Sequence, residues 1–187
     1  MKRIITFLAL LSSLVSCTKS DNTTPNNNNT NPYYFKFTLD GTPYNFTSPA
    51  AQFVNNYDHS VSGYQTPGIL SMYPSVGIVM VFDSVATDAD VKSMAGKTFY
   101  YNGVNPSPSV FFGLNSSTNT FYSIDTPNHN FNINISSVSY LRKDTTIFNV
   151  MDVYVVKGTC SAVLSDGVSK KTLTGGEFNY LISRVYK

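Results

Sequence analysis

Thiols and imidazoles are scarce in this chain: Cys17 and Cys160 are its two cysteines and His59 and His129 its two histidines. A structural zinc centre takes four such ligands, so a site built on thiolates is excluded once Cys17 is committed elsewhere and one free Cys with two His remains. His59 follows Asp58, and His129 lies in Asp125-Thr126-Pro127-Asn128-His129-Asn130. Neither has a partner at a spacing that defines a ligand set or an acid–base pair, so both read as loop residues. Asp83, Asp88 and Asp90 bring carboxylates close together and could offer oxygens to calcium, but an EF-hand spacing and a closing Glu are missing. Acids in a helical first turn complement its dipole, which is the simpler reading. No Gly-x-Ser-x-Gly, His-Glu-x-x-His, phosphate-cradling or dinucleotide motif is present. A hydrolase would have to assemble its site from residues distant in sequence. Tyr57, Tyr64, Tyr73, Tyr101 and Tyr122 lie near expected loops and are candidates for a platform on which sugar rings stack. The alternative is that tyrosines fill the rim of a sandwich, and the chain has no Trp, the strongest stacking residue.

The setting of Cys17 is more specific. Lys2 and Arg3 precede an apolar run from Ile4 to Val15 that only Thr6, Ser12 and Ser13 interrupt, the layout of a secretory signal peptide. The run is shorter than the roughly 20 apolar residues a transmembrane helix needs. Leu14-Val15-Ser16-Cys17 resembles the lipobox of bacterial lipoproteins. That resemblance implies removal of residues 1–16, a thioether-linked diacylglycerol on Cys17 and a third acyl chain, such as palmitate, on its amine. At about 0.8 kcal/mol per buried methylene, two chains already anchor stably. The chain is then expected to meet the membrane through its lipid alone. With Cys17 so used, Cys160 has no disulfide partner within a monomer, and its apolar strand context makes it a buried small hydrophobe.

Taking Lys2 and Arg3 from the 13 basic residues leaves 11, equal to the 11 acids. A neutral chain with few charges has no electrostatic footprint for nucleic acid. Thr18 to Pro32 contains no apolar residue and includes the run Asn26 to Asn29, so residues 17–32 read as a lipidated cysteine with a disordered polar linker. Its root-mean-square reach is roughly 20 Å, which holds the domain close to the lipid surface. Lys19-Ser20-Asp21 resembles the acidic export tag of Bacteroidota surface lipoproteins, with Asp21 its only acid. An outer-membrane anchor is expected, with the cell surface and the periplasmic face both open.

Residues 33–187 suit a single domain with a real core. Tyr33, Phe35, Phe37 and Leu39 alternate with polar neighbours before Asp40-Gly41, and Tyr44 and Phe46 return, which predicts a hairpin. Residues 47–68 read as loop with Phe53 and Tyr57 as anchors, and Ile69 to Tyr73 as a short strand. Val76 to Phe82 is apolar on both alternations and predicts a strand buried on both faces at the centre of the sheet, with Val79 in the core. Thr87-Asp88-Ala89-Asp90 is a capping-box start for a short helix, the only one expected, with Val91 and Met94 one turn apart and Gly96 as its stop. Strands follow at Thr98 to Tyr101, Val110 to Leu114, Phe121 to Ile124 and Phe131 to Leu141, where a change of inward parity at Ser136-Ser137 predicts a bulge.

Gly158 to Leu164 and Gly176 to Ile182, joined through Ser165-Asp166-Gly167, predict a C-terminal hairpin with a shared face and Phe178 in the core. Residues 33–47 and 153–183 together resemble small Bacteroidota lipoproteins of unknown function, which open with a strand, an Asp/Asn-Gly turn and a second strand. They close with two Gly-x-aromatic strands, and Cys160 departs from the aromatic of that pattern. The resemblance carries no catalytic residue and no cofactor. The expected fold is all-β, a mainly antiparallel β-sandwich or partly closed barrel with one short helix and with the first and last strands adjacent. The expected role is a non-enzymatic binding or structural interaction module of the cell envelope, with a glycan or an envelope protein as partner. A hydrolase with a non-contiguous active site is the alternative.

Overall fold

The computed structural model describes residues 32–47, 60–65, 74–100, 106–113, 120–123, 131–145 and 150–186, with Val61, Tyr64, Gln65 and Tyr186 described by backbone alone. All belong to one unit, Asn31–Lys187. In chain order the strands are β1 Tyr34–Leu39, β2 Thr42–Phe46, β3 Ser60–Gln65, β4 Ser75–Val81, β5 Lys97–Tyr100, β6 Ser107–Gly113, β7 Thr120–Ser123, β8 Asn132–Thr145, β9 Val150–Ser165 and β10 Lys170–Tyr186. The helix α1, Asp88–Lys92, lies between β4 and β5. Every strand pairing is antiparallel. The expected all-β architecture with one short helix is what the described residues form.

The ten strands follow the order β2-β1-β10-β3-β4-β6-β7-β9-β8-β5, and β9 also pairs with β10. That extra pairing closes a ring, β10-β3-β4-β6-β7-β9, from which β1-β2 and β8-β5 branch as wings. Two seams complete it: Ser183 and Arg184 against Ser62 and Val61, and Tyr122 and Ser123 against Ser165 and Leu164. The result is a partly closed barrel around the long β9–β10 ribbon, whose register runs unbroken from Lys170↔Ser165 to Tyr186↔Val150 except for a bulge between Leu173 and Gly176.

Period-two alternation decides which side chains enter the core. Phe35, Phe37 and Leu39 point in from β1, Phe46 from β2, Val76, Ile78 and Met80 from β4, and Val110 and Phe112 from β6. Tyr154, Val156, Cys160, Ala162 and Leu164 do so from β9, and Leu173, Phe178, Tyr180 and Ile182 from β10. Aromatic rings join the wing to the ring. Phe37 stacks on Tyr44 at 5.4 Å and meets Phe112 edge-on at 5.7 Å, while Phe35 lies 5.5 Å from Phe178 and 5.9 Å from Tyr180. The Tyr180 hydroxyl accepts the Ile78 N–H at 3.3 Å, so the one polar atom of this buried ring is satisfied across the core. Burial pushes the Cys160 thiol up to about 12, as fits a thiol acting as a core hydrophobe.

The first hairpin forms as read, with Asp40 and Gly41 both at positive φ in the turn. β1 lies beside β10, which makes the first and last strands neighbours. The β8 register shifts between Ile135 and Ser137, placing a bulge at Ser136, and shifts again between Tyr140 and Arg142. Two expectations are corrected. Residues 60–65, read as loop, form β3, because Ser60, Ser62 and Gly63 lack the apolar alternation that marks a strand, yet fit under close neighbours. Val79 is only half-buried and Val81 is 40% exposed, so β4 is covered on both faces only over its first part. The centre of the sheet is the β9–β10 pair instead. Phe53 and the stretch Ile69 to Tyr73 fall outside the described residues.

Candidate functional site

β9 changes neighbour along its outer edge. Its ladder with β8 ends at Ser161, and its ladder with β7 begins at Leu164. Between them, opposite the β10 bulge, lies an open groove of about 500 Å³ lined by Asn132, Ser161, Ala162, Val163, Thr172, Leu173 and Thr174. Alternation puts Thr172 and Thr174 on the outward side of Leu173, both exposed, and the bulge that follows resets the parity so that Gly176 and Phe178 point inward. Asn132 Nδ2 donates to Ser161 Oγ at 2.8 Å, which fixes the amide's orientation and leaves its carbonyl oxygen as an acceptor and the serine hydroxyl as a donor. Tyr100 of β5 stands opposite Asn132 in register, with 45% of its surface exposed. Every lining side chain is uncharged, so the groove offers hydrogen bonds and apolar contact without a proton to give or take near neutrality.

Beyond the β7 seam the same outer face turns aromatic. Register places Tyr64, Gly77, Phe111, Tyr122 and Ser165 in one cross-strand row over β3, β4, β6, β7 and β9. A Cβ at Gly77 would collide with the Phe111 ring, so the glycine is what lets that ring lie across β4. Tyr122 is 55% exposed, and its ring sits 6.2 Å from Phe111 at an interplanar angle of 44°. The aromatic row and the groove meet along the outward positions Ser161, Val163 and Ser165 of β9.

Of the five tyrosines singled out from sequence, Tyr122 lies in this row and Tyr64 takes a backbone position in it beyond β6 and β4; Tyr57, Tyr73 and Tyr101 lie outside the described residues, as do Cys17, His59 and His129. Phe111, Asn132, Ser161, Thr172 and Thr174 were not singled out. Alternation marks them as outward-facing, but nothing local tells which outward residues of distant strands become neighbours.

Asp88 and Asp90 serve the helix. Thr87 is its N-cap, accepting the Asp90 N–H at 3.2 Å while Asp90 Oδ2 accepts the Thr87 N–H at 2.8 Å. Those bonds to Thr87 hold the Asp90 carboxyl below its usual range. Asp88 is lowered chiefly by Lys92, whose Nζ is 2.8 Å away, and by the Tyr154 hydroxyl, which donates to its Oδ1 at 3.0 Å. Asp83 is an exposed residue ahead of the cap. Among the described residues no three His, Cys, Asp or Glu side chains gather as a metal site would require.

Behind Tyr154 is the one strongly buried ion pair described. Arg184 Nη2 donates to Asp152 Oδ2 at 2.6 Å and Nη1 to the Ala86 carbonyl at 3.0 Å, with side chains 11% and 7% exposed. Burial, then the hydrogen bond to Asp88, raises the Tyr154 phenol far above its ordinary value and keeps it protonated. This cluster fastens α1 to the ribbon and is closed to a substrate. At the other wing Glu177 accepts from Tyr34 at 2.6 Å and pairs with Lys36 at 2.9 Å, and both contacts lower its carboxyl. No protein-family model, no curated protein and no solved structure matches this chain.

Proposed function

We propose that this chain is a lipid-anchored protein of the bacterial outer membrane and a non-enzymatic binding module. The observation that carries the binding reading is the outward face of β7–β10, where an uncharged groove adjoins the exposed ring of Tyr122 and the half-buried ring of Phe111. Among the described residues, carboxylates are engaged elsewhere: Asp88 and Asp90 in the helix start, Asp152 with Arg184, Glu177 with Tyr34 and Lys36, and Asp166 in the β9–β10 turn. A face that offers hydroxyls, amides and rings suits recognition better than turnover. The anchor rests on Leu14-Val15-Ser16-Cys17 and the polar stretch after it. Its test is growth with labelled palmitate: the chain should take up label and fractionate with membranes, and Cys17→Ala should lose the label and persist as precursor. Equal labelling of the variant would overturn the anchor.

A further inference from the structure

We infer that the outer face of β7, β9 and β10 is a binding site for a neutral oligosaccharide, which stacks a sugar ring on Tyr122 beside Phe111 and lays the following residues along the Ser161–Thr172 groove. The inference rests on the binding-module reading and names its ligand class and site. Carbohydrate recognition needs two chemistries side by side: an aromatic face for the C–H surface of a pyranose, and donors and acceptors in fixed orientation for its hydroxyls. Both are present and continuous. Tyr122 pairs with Ser165, and two residues back along the same outward side of β9 is Val163, opposite Thr172, then Ser161, held to Asn132. From Ser165 to Ser161 a strand advances about 14 Å, which is longer than one sugar ring and requires a chain as occupant.

The choice against other ligands comes from charge and shape. The groove's own lining carries no charged side chain, and the cation of this face, Lys170, stands opposite Ser165 at the platform end, so a ligand with acidic groups along its length would give up hydration in the groove without an ionic partner there. The groove is open along its length rather than enclosed, which suits an extended polymer more than a compact metabolite. Phe111 is held across β4 by the absence of a side chain at Gly77, so the platform is preset rather than assembled on binding.

The test is calorimetric titration of the full chain, solubilised in a detergent without a sugar headgroup, against cello-, malto-, xylo- and manno-oligosaccharides and, as an acidic counterpart, oligogalacturonides. At least one neutral series should bind, with affinity rising with chain length and changing less than twofold between low and high salt. Tyr122→Ala and the pair Ser161→Ala with Thr172→Ala should each weaken it at least tenfold, whereas Tyr140→Ala, an exposed ring elsewhere, should not. All these positions are outward, and an unchanged thermal midpoint verifies that each variant is folded. Binding that survives both groove and platform variants places the sugar elsewhere and overturns the site. Preference for the acidic series, or no binding by any series, overturns the ligand class. In the last case a protein cross-linked through a photoreactive residue at position 122 on intact cells would leave the binding-module reading standing, and no capture would remove that as well.

Discussion

The two ends of the β9–β10 ribbon are built from one continuous ladder and treated in opposite ways. Towards the C-terminus of β10, Tyr180, Leu181, Ile182 and Ser183 are buried in succession, as are Asp152, Val153 and Tyr154 facing them, so both faces are covered. There Arg184 and Asp152 form an ion pair out of reach of solvent, and α1 is tied on through Ala86 and Asp88. Towards the turn, burial alternates: Leu173, Gly176 and Phe178 point in while Thr172 and Thr174 stay exposed. The closed end spends its polar groups on one another. The open end keeps the hydroxyls of Thr172 and Thr174 on its exposed side, before the bulge between Leu173 and Gly176. The closed end buries its charges as a pair, whereas Asp166 and Lys170 at the open end stay at the surface.

The largest effect separating the ends should come from halving the buried pair. Asp152→Ala leaves the Arg184 guanidinium with its main countercharge gone and should cost about 3 to 5 kcal/mol, measured as a shift in urea midpoint at constant slope. Replacing both partners by apolar residues of similar volume should recover much of that loss. If Asp152→Ala unfolds at the wild-type midpoint, the closed end is not held by this pair.

A smaller effect is expected where α1 starts. Thr87→Ala removes the side-chain acceptor of the Asp90 N–H and should cost about 1 kcal/mol, with hydrogen exchange faster in α1 and unchanged in the β9–β10 turn. Equal acceleration at both ends would mean that helix and ribbon open together, and the contrast between the ends would be lost.

The smallest effect lies in the open turn. Asp166 Oδ1 accepts the N–H of Val168 at 2.9 Å and of Ser169 at 2.7 Å, and these bonds, Ser169 first, hold its carboxyl below the usual range. A lowered folded-state value means that the contribution is complete above the unfolded value of about 4 and is lost as pH falls through the folded one. Asp166→Asn keeps the acceptor and removes the titration, so its thermal midpoint should fall less steeply than wild type on acidification below about pH 4. Parallel curves would show that this carboxylate adds nothing to acid sensitivity.

Much of the fold was legible because the signals were local. Phe35, Phe37 and Leu39 alternate before Asp40-Gly41, Thr87 and Asp90 stand at capping-box spacing, and the parity of Phe131 to Tyr140 breaks at Ser136, where the bulge is found. β3 was missed because its strand is made of Ser, Gly, Tyr and Gln around one Val, and its pairing with β4 and β10 is not a property of those residues alone. Val79 was placed too deep because an apolar residue records affinity for a core and not the presence of a covering layer.

The candidate site was legible only in part. Tyr64 and Tyr122 were singled out by type, but the register that sets their positions in one row runs through Gly77 and Phe111, two residues that carry no chemistry by themselves. Asp152 and Arg184 are 32 residues apart and pair because the hairpin register sets them opposite each other.

The sequence by itself determined the alternation, the turn and cap chemistry, the neutral balance of charge and the cysteine context at position 17, since each depends on residues within a few positions of one another. Tertiary structure alone decided that the sheet closes into a ring, that β9 passes from β8 to β7 between Ser161 and Leu164, and that rings and hydroxyls from separate strands share one outer face. The reason is that a strand's period of two fixes which side of the sheet a residue takes, whereas its neighbours across the sheet depend on register. Packing of the whole core sets that register, and a slip of one residue would turn every one of those side chains to the other face.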